Sequence, residues 1–192
     1  MHSEHRPPLE RFTAALDDLE CGVTRTTRSE LPAVLESVVD PPAVGVPLES
    51  VAADVSIPSW IDTDPTPATL EAATTGVTPA VLGIADYGSV LIPERPAGAE
   101  PVSLFPDTHV AVLEASAIVP DVRTAVDRLA PRLRRGESAI LATGPSATAD
   151  MGALVRGAHG PKHVHVIVLE DADTGDTGVE NSNAGDIEEV HT

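Results

Sequence analysis

Residues 138–170 read SAILATGPSATADMGALVRGAHGPKHVHVIVLE. Residues 138–142 are a short apolar run that ends at Thr143-Gly144-Pro145. At the other end, Val164, Val166 and Val168 alternate with His165, Ile167 and Leu169, so this segment is apolar on nearly both faces. That is the pattern of a strand covered on both sides, as in a parallel sheet. The piece between the two strands is expected to be a short helix, which makes the stretch a βαβ-like unit.

The loop after the first strand carries the chemical signal. Gly144 stands where the backbone must turn, and Pro145 suits a helix entry. Ser146 and Thr148 offer hydroxyls beside backbone N–H groups and are good N-caps. A helix start of this kind receives an anion. In open α/β sheets ligands bind beyond the carboxyl ends of the strands, where this loop is expected. Gly144, Ser146, Thr148 and Asp150 are therefore the main candidates for gripping a carboxylate or phosphate, with Asp150 orienting a ligand hydroxyl or a cation. The same residues also describe a well-capped turn with an acid in the first helical turn.

Further candidates flank this core. Arg156 offers a bidentate fork to a substrate carboxylate, or pairs with a nearby acid. His159 lies beside it, and Lys162 is the only lysine in the chain. Asp86, at the glycine turn 86–88, is a candidate for a second wall of the same pocket or a plain turn residue. His163 and His165 share a strand face, but a zinc site needs a third ligand, so no metal is assigned. Ser146 lacks the G-x-S-x-G surroundings of an acyl-transfer nucleophile.

The long combination Ala142-Thr143-Gly144-Pro145-Ser146, Thr148-Ala149-Asp150 and 155–161 resembles the LUD domain family, the fold unit of lactate-utilization C proteins. Residues 83–90 (GIADYGSV) look like a second signature of that family, with Tyr87 where threonine is usual. Leu104-Phe105-Pro106 followed by 109–112 (HVAV) is similar to a third. The resemblance implies a Rossmann-like α/β domain of the NagB/RpiA/CoA-transferase kind, with a mainly parallel central sheet flanked by helices. It also implies a role beside iron–sulfur lactate-utilization subunits in oxidising L-lactate, with the clusters in those partners and no cofactor within this chain. A stand-alone enzyme on a phosphorylated or folate-type substrate, like 5-formyltetrahydrofolate cyclo-ligase, and a non-catalytic regulatory module are the alternatives.

Length and composition set the outer bounds. The chain has 192 residues, enough for one domain with a usable core. Aromatics are 2% of it, so that core must be built from Ala, Val and Leu. No apolar run is long enough to span a bilayer, and no leader is seen, so a cytoplasmic location is expected. The formal charge is −18, and the body stays acidic when the tail from Glu170 is set aside. This reads as the surface of a halophile, and it argues against a nucleic-acid partner. The lone Cys21 can hold neither a disulfide nor an iron–sulfur cluster, and it sits in an expected strand.

Domain boundaries are expected at a mobile 1–8, a LUD domain over 9–170 and an acidic, disordered tail over 171–192. Within the domain, helices are expected over 9–19, from Ser29 to about Val39, from Thr66 or Pro67 to Thr75, and from Pro120 to about Arg135. The last should turn Val122, Val126, Leu129 and Leu133 inward and be kinked or broken at Pro131. Strands are expected over 20–26, 43–46 and 109–114, with an edge strand over 51–57, a hairpin or bent strand over 81–92 and a loop over 93–101.

Overall fold

The computed structural model describes residues 6–51, 55–94, 98–150 and 153–171. The expectations for residues 1–5 and for the tail beyond Asp171 lie outside the described residues. In chain order the helices are α1 (Pro8–Asp18), α2 (Leu31–Val38), α3 (Pro67–Ala72), α4 (Ala99–Leu104) and α5 (Val122–Arg134). The first strands are β1 (Gly22–Thr27), β2 (Ala43–Gly45), β3 (Thr75–Ala80), β4 (Leu82–Ile84), β5 (Ser89–Pro93) and β6 (Thr108–Glu114). They are followed by β7 (Ile118–Val119), β8 (Ala139–Thr143), β9 (Ala147–Asp150), β10 (Ala153–Arg156) and β11 (His163–Glu170).

Five strands form an all-parallel sheet in the order β1-β11-β6-β3-β2. β11 lies inside it, between β1 and β6. Its alternating residues feed two different cores, which is why both faces of the segment are apolar. Val164, Val166 and Val168 join Phe12 and Leu16 of α1, Ala111 and Leu113 of β6, and Val90 and Ile92 of β5. Ile167 and Leu169 join Val77, Val110 and Val112 and the buried Leu31 and Leu35 of α2. The α/β expectation is met by this sheet and its helices.

A second, mixed sheet runs β7-β4-β5-β8. β4 and β5 form the expected hairpin, with Leu82 opposite Leu91. β8 pairs antiparallel with β5 at the edge of this sheet, with Leu141 opposite Leu91. The chain thus leaves the parallel sheet after β3 and again after β6, and it returns each time to an interior position.

Several expectations are corrected here. Strands 139–143 and 163–170 belong to different sheets and form no βαβ unit. The segment between them is not a helix but the antiparallel hairpin β9–β10, with Thr148 opposite Val155. Its base is closed by the Gly157 N–H donating to Ser146 O at 3.0 Å and the Ser146 N–H donating to Pro161 O at 2.9 Å. These bonds satisfy backbone groups that a helix start would have left free.

On α5 the helix continues past Pro131 to Arg134, and Asp121 caps it by accepting the Thr124 N–H at 2.7 Å. Its buried side is Ala125, with Leu129 packed beside it, while Val122, Val126 and Leu133 are exposed. The helix is rotated away from the face its pattern suggested. Residues 99–101 of the expected loop open α4, residues 55–57 of the expected edge strand take no strand while 52–54 lie outside the described residues, and α3 stops at Ala72 because Thr75 already belongs to β3. The first residue outside α2 is Glu30, not Ser29.

Candidate functional site

The loop after β8 borders an open cleft of about 400 Å³. Residues 140–148 form one wall, His159, Gly160 and Pro161 a second, and Ser103 and Leu104 from the end of α4 a third. His109 and Val164 form the floor. They are the second residues of β6 and β11 and lie opposite each other in register. The cleft therefore sits over the amino ends of the parallel strands, not the carboxyl ends as expected. At the carboxyl ends, Glu114 and Glu170 are engaged by Arg28 and Arg25.

Gly144 makes the wall possible. Its φ of +67° is a left-handed turn that a residue without Cβ adopts freely. Across the cleft, a Cβ on Gly160 would meet the Ser146 Cβ at 3.1 Å, so the bare backbone lets the two walls approach. Ser146 Oγ accepts the His159 N–H at 3.4 Å. The Thr143 hydroxyl bonds to Ser89 at 2.7 Å, and Ser103 donates to Glu100 O at 2.8 Å. The Thr148 hydroxyl has no partner among the described residues.

Of the candidates read from the sequence, Gly144, Ser146, Thr148 and His159 line this cleft. Asp150 ends β9, and the role read for its side chain lies outside the described part of the structure. Arg156 lies on the other side of the 143–147 wall, in a smaller cleft of about 210 Å³, where it forms an ion pair with Glu20. Lys162 reaches Asp107 at 2.7 Å, and its stem packs over Gly157. Asp86 is bound by Arg11 and ties the β4–β5 turn to α1. None of these three lines the cleft.

His109 was not singled out from the sequence. It is 1% exposed, and its Nε2 lies 2.8 Å from the hydroxyl of Thr78, which is fully buried on β3. Burial pushes the imidazole down to about 4, so the ring is neutral near pH 7. The available signal was a polar ring inside the apolar run HVAVLE. His165 lies on the opposite face of the sheet, against Thr24 at 2.9 Å. Its imidazole is also pushed down by burial. Among the described residues no group of three or more His, Cys, Asp or Glu side chains is placed to hold a metal. Burial raises the Cys21 thiol to about 11, well away from thiolate chemistry. No described helix is long and apolar enough to cross a membrane.

Three of the motif stretches meet in this one cleft: residues 142–146, residues 159–161 and the pair Leu104 and His109. Comparison with known proteins agrees. The chain is 29% identical over 171 residues to Lactate utilization protein C of Deinococcus radiodurans, covering 84% of this chain and 79% of that protein. It is 36% identical over 106 residues to Lactate utilization protein C of Bacillus licheniformis and 32% to the uncharacterized protein YkgG of Escherichia coli. These two matches cover 53% of this chain but only 44% and 46% of those proteins. A crystal structure of a DUF162 family protein from Deinococcus radiodurans superposes with a TM-score of 0.64 at 26% identity, covering 84% of this chain and 96% of that one. The LUD domain description matches residues 66–169, which hold β3 to β6, α5 and every wall of the cleft. By that match over more than half of its length, the chain belongs to the LUD domain family.

Proposed function

We propose that this protein is the accessory or substrate-binding subunit of an iron–sulfur system that oxidises L-lactate. The observation that carries the proposal is the likeness to Lactate utilization protein C across 84% of the chain. A single cysteine cannot ligate an iron–sulfur cluster, so the electron carriers are assigned to cysteine-rich partner subunits. The five-strand parallel sheet supports kinship with the NagB/RpiA/CoA-transferase folds. The charge of −18 supports a halophilic cytoplasm as the setting.

In this reading the ligand is an anionic small molecule held at residues 144–150, and the cleft is its seat in place of a helix start. Its carboxylate lies at the mouth, where the Thr148 hydroxyl is unpartnered among the described residues and His159 is exposed. Arg156, Lys162 and Asp86 fix the surrounding frame through their ion pairs.

The test is reconstitution with two cysteine-rich partner proteins from the same source, followed by L-lactate oxidation at high salt. Omitting this chain should abolish or strongly reduce turnover, and Thr148→Val should raise the lactate concentration needed for half-maximal rate. An undiminished rate without the chain would remove the proposal.

A further inference from the structure

The charge distribution of the cleft differs from its contour. Among the described residues its lining contains no Asp, Glu, Lys or Arg, although the chain as a whole carries 42 such residues. Apart from hydroxyls and His159 at the rim, the walls are apolar: Leu104, Ile140, Leu141, Pro145 and Pro161. The one polar group at the floor is His109, and only one of its ring nitrogens is used, by Thr78. The other, Nδ1, has no hydrogen-bond partner among the described residues. A buried polar atom without a partner is unfavourable and uncommon in a native fold. The residue that carries it lines the floor of an open, drug-sized cavity.

We propose that the cleft binds a small organic molecule through an uncharged oxygen, a carbonyl or a hydroxyl, presented to His109 Nδ1, with Thr78 holding the ring from behind. Bringing a carboxylate to this floor would strip its water with no cation to replace it. The neutral ring, held so by burial, cannot supply that cation near pH 7. A carbonyl or hydroxyl needs one hydrogen bond, and one is on offer. Any charge on the ligand is therefore left at the mouth, beside Thr148 and His159, while its apolar body packs against the walls. The inference rests on the cleft being the ligand seat, but not on the lactate role.

A matched pair of probes tests it: 2-acetylnaphthalene, with a neutral carbonyl, and 2-naphthoate, with a carboxylate on the same ring. Calorimetric titration of the full chain should show the acetyl compound binding roughly tenfold tighter or more. His109→Leu should weaken it by a similar, roughly tenfold factor, and His109→Gln should stay within about threefold. Leu104→Trp, which fills the cleft and leaves the floor untouched, should abolish binding. In the [15N]histidine spectrum the acetyl compound should shift the His109 ring signals and naphthoate should not, which covers the case of a His109→Leu chain that fails to fold. Naphthoate binding as tightly as the acetyl compound while shifting the His109 ring signals, His109→Leu leaving affinity for the acetyl compound unchanged, or no binding of either probe would each overturn the inference. A chain that binds neither probe yet is required for lactate oxidation loses this inference and keeps the accessory-subunit proposal. One that binds the acetyl compound but is dispensable for oxidation does the reverse.

Discussion

The parallel sheet and the region 138–161 are built from the same small apolar residues, yet they obey different constraints. In β11 the five residues Val164, Val166, Ile167, Val168 and Leu169 are buried on one of two faces, and each meets a layer that fixes its orientation. β8 sits at a sheet edge with its residues half exposed, and the β9–β10 hairpin pairs only with itself. Burial on both faces leaves a strand one option, whereas an edge segment is decided by which backbone partners reach it. Changes in the first region should therefore be costly and changes in the second mild.

The largest effect is expected at Gly76 in β3. A Cβ there would lie 1.9 Å from Val102 O in α4, a backbone atom that cannot swing aside. Gly76→Ala should lower the unfolding free energy by about 3 kcal/mol in urea titration, the upper range for overpacking. A loss below about 1 kcal/mol would show that α4 is loosely docked and that the sheet is less constrained than its burial implies.

Next comes His109, where the two regions meet. Its folded-state value, about 4, lies below the ordinary 6.5. Between those values the unfolded chain takes up a proton that the folded one refuses, so the stability contributed falls as pH drops through that window. The full span corresponds to about 3 kcal/mol, fully present above pH 6.5 and lost near pH 4. His109→Gln should flatten the stability–pH curve across that window relative to the parent chain, read by urea unfolding at fixed salt. Equal slopes would place the ring in contact with water.

Arg156 probes the mild side. Its ion pair with Glu20 is half exposed, and pairs of that kind contribute at most about 1 kcal/mol. Arg156→Ala should cost less than that, and the cost should shrink further in strong salt. A larger, salt-independent loss would mean that the hairpin depends on this tether. The smallest change is expected at Val126, which is 53% exposed on α5. Val126→Ser should alter stability by no more than about 0.5 kcal/mol. The inward orientation suggested by the helical pattern would instead predict a loss of about 2 kcal/mol.

The α5 case shows where periodicity stops being informative. Val122, Val126 and Leu133 share a stripe, but the second sheet presents Leu82, Ile84, Leu91 and Val119 to a neighbouring stripe centred on Ala125. A small residue lets the helix approach the sheet closely, and nothing in a single-chain pattern says which stripe the sheet will select. The hairpin shows the same gap for backbone partners. Ser146 and Thr148 are sound N-cap types, but Pro161 O and the Gly157 N–H occupy the Ser146 backbone first. His109 falls in a motif stretch but is no site candidate by sequence, because its meaning depends on Thr78, 31 residues away and brought beside it by the pairing of β3 with β6.

The sequence by itself determined the α/β class, the doubly covered strand at its centre, the membership implied by the glycine-rich motifs, and the loop that borders the cleft. Those features rest on local periodicity and on residues whose backbone preferences are intrinsic. Only the tertiary structure decided that β8 belongs to a second sheet, that residues 147–156 form a hairpin, and that the cleft lies over the amino ends of β6 and β11 with a neutral imidazole in its floor. Those features depend on contacts between segments distant in the chain, and local periodicity carries no record of which segments will meet.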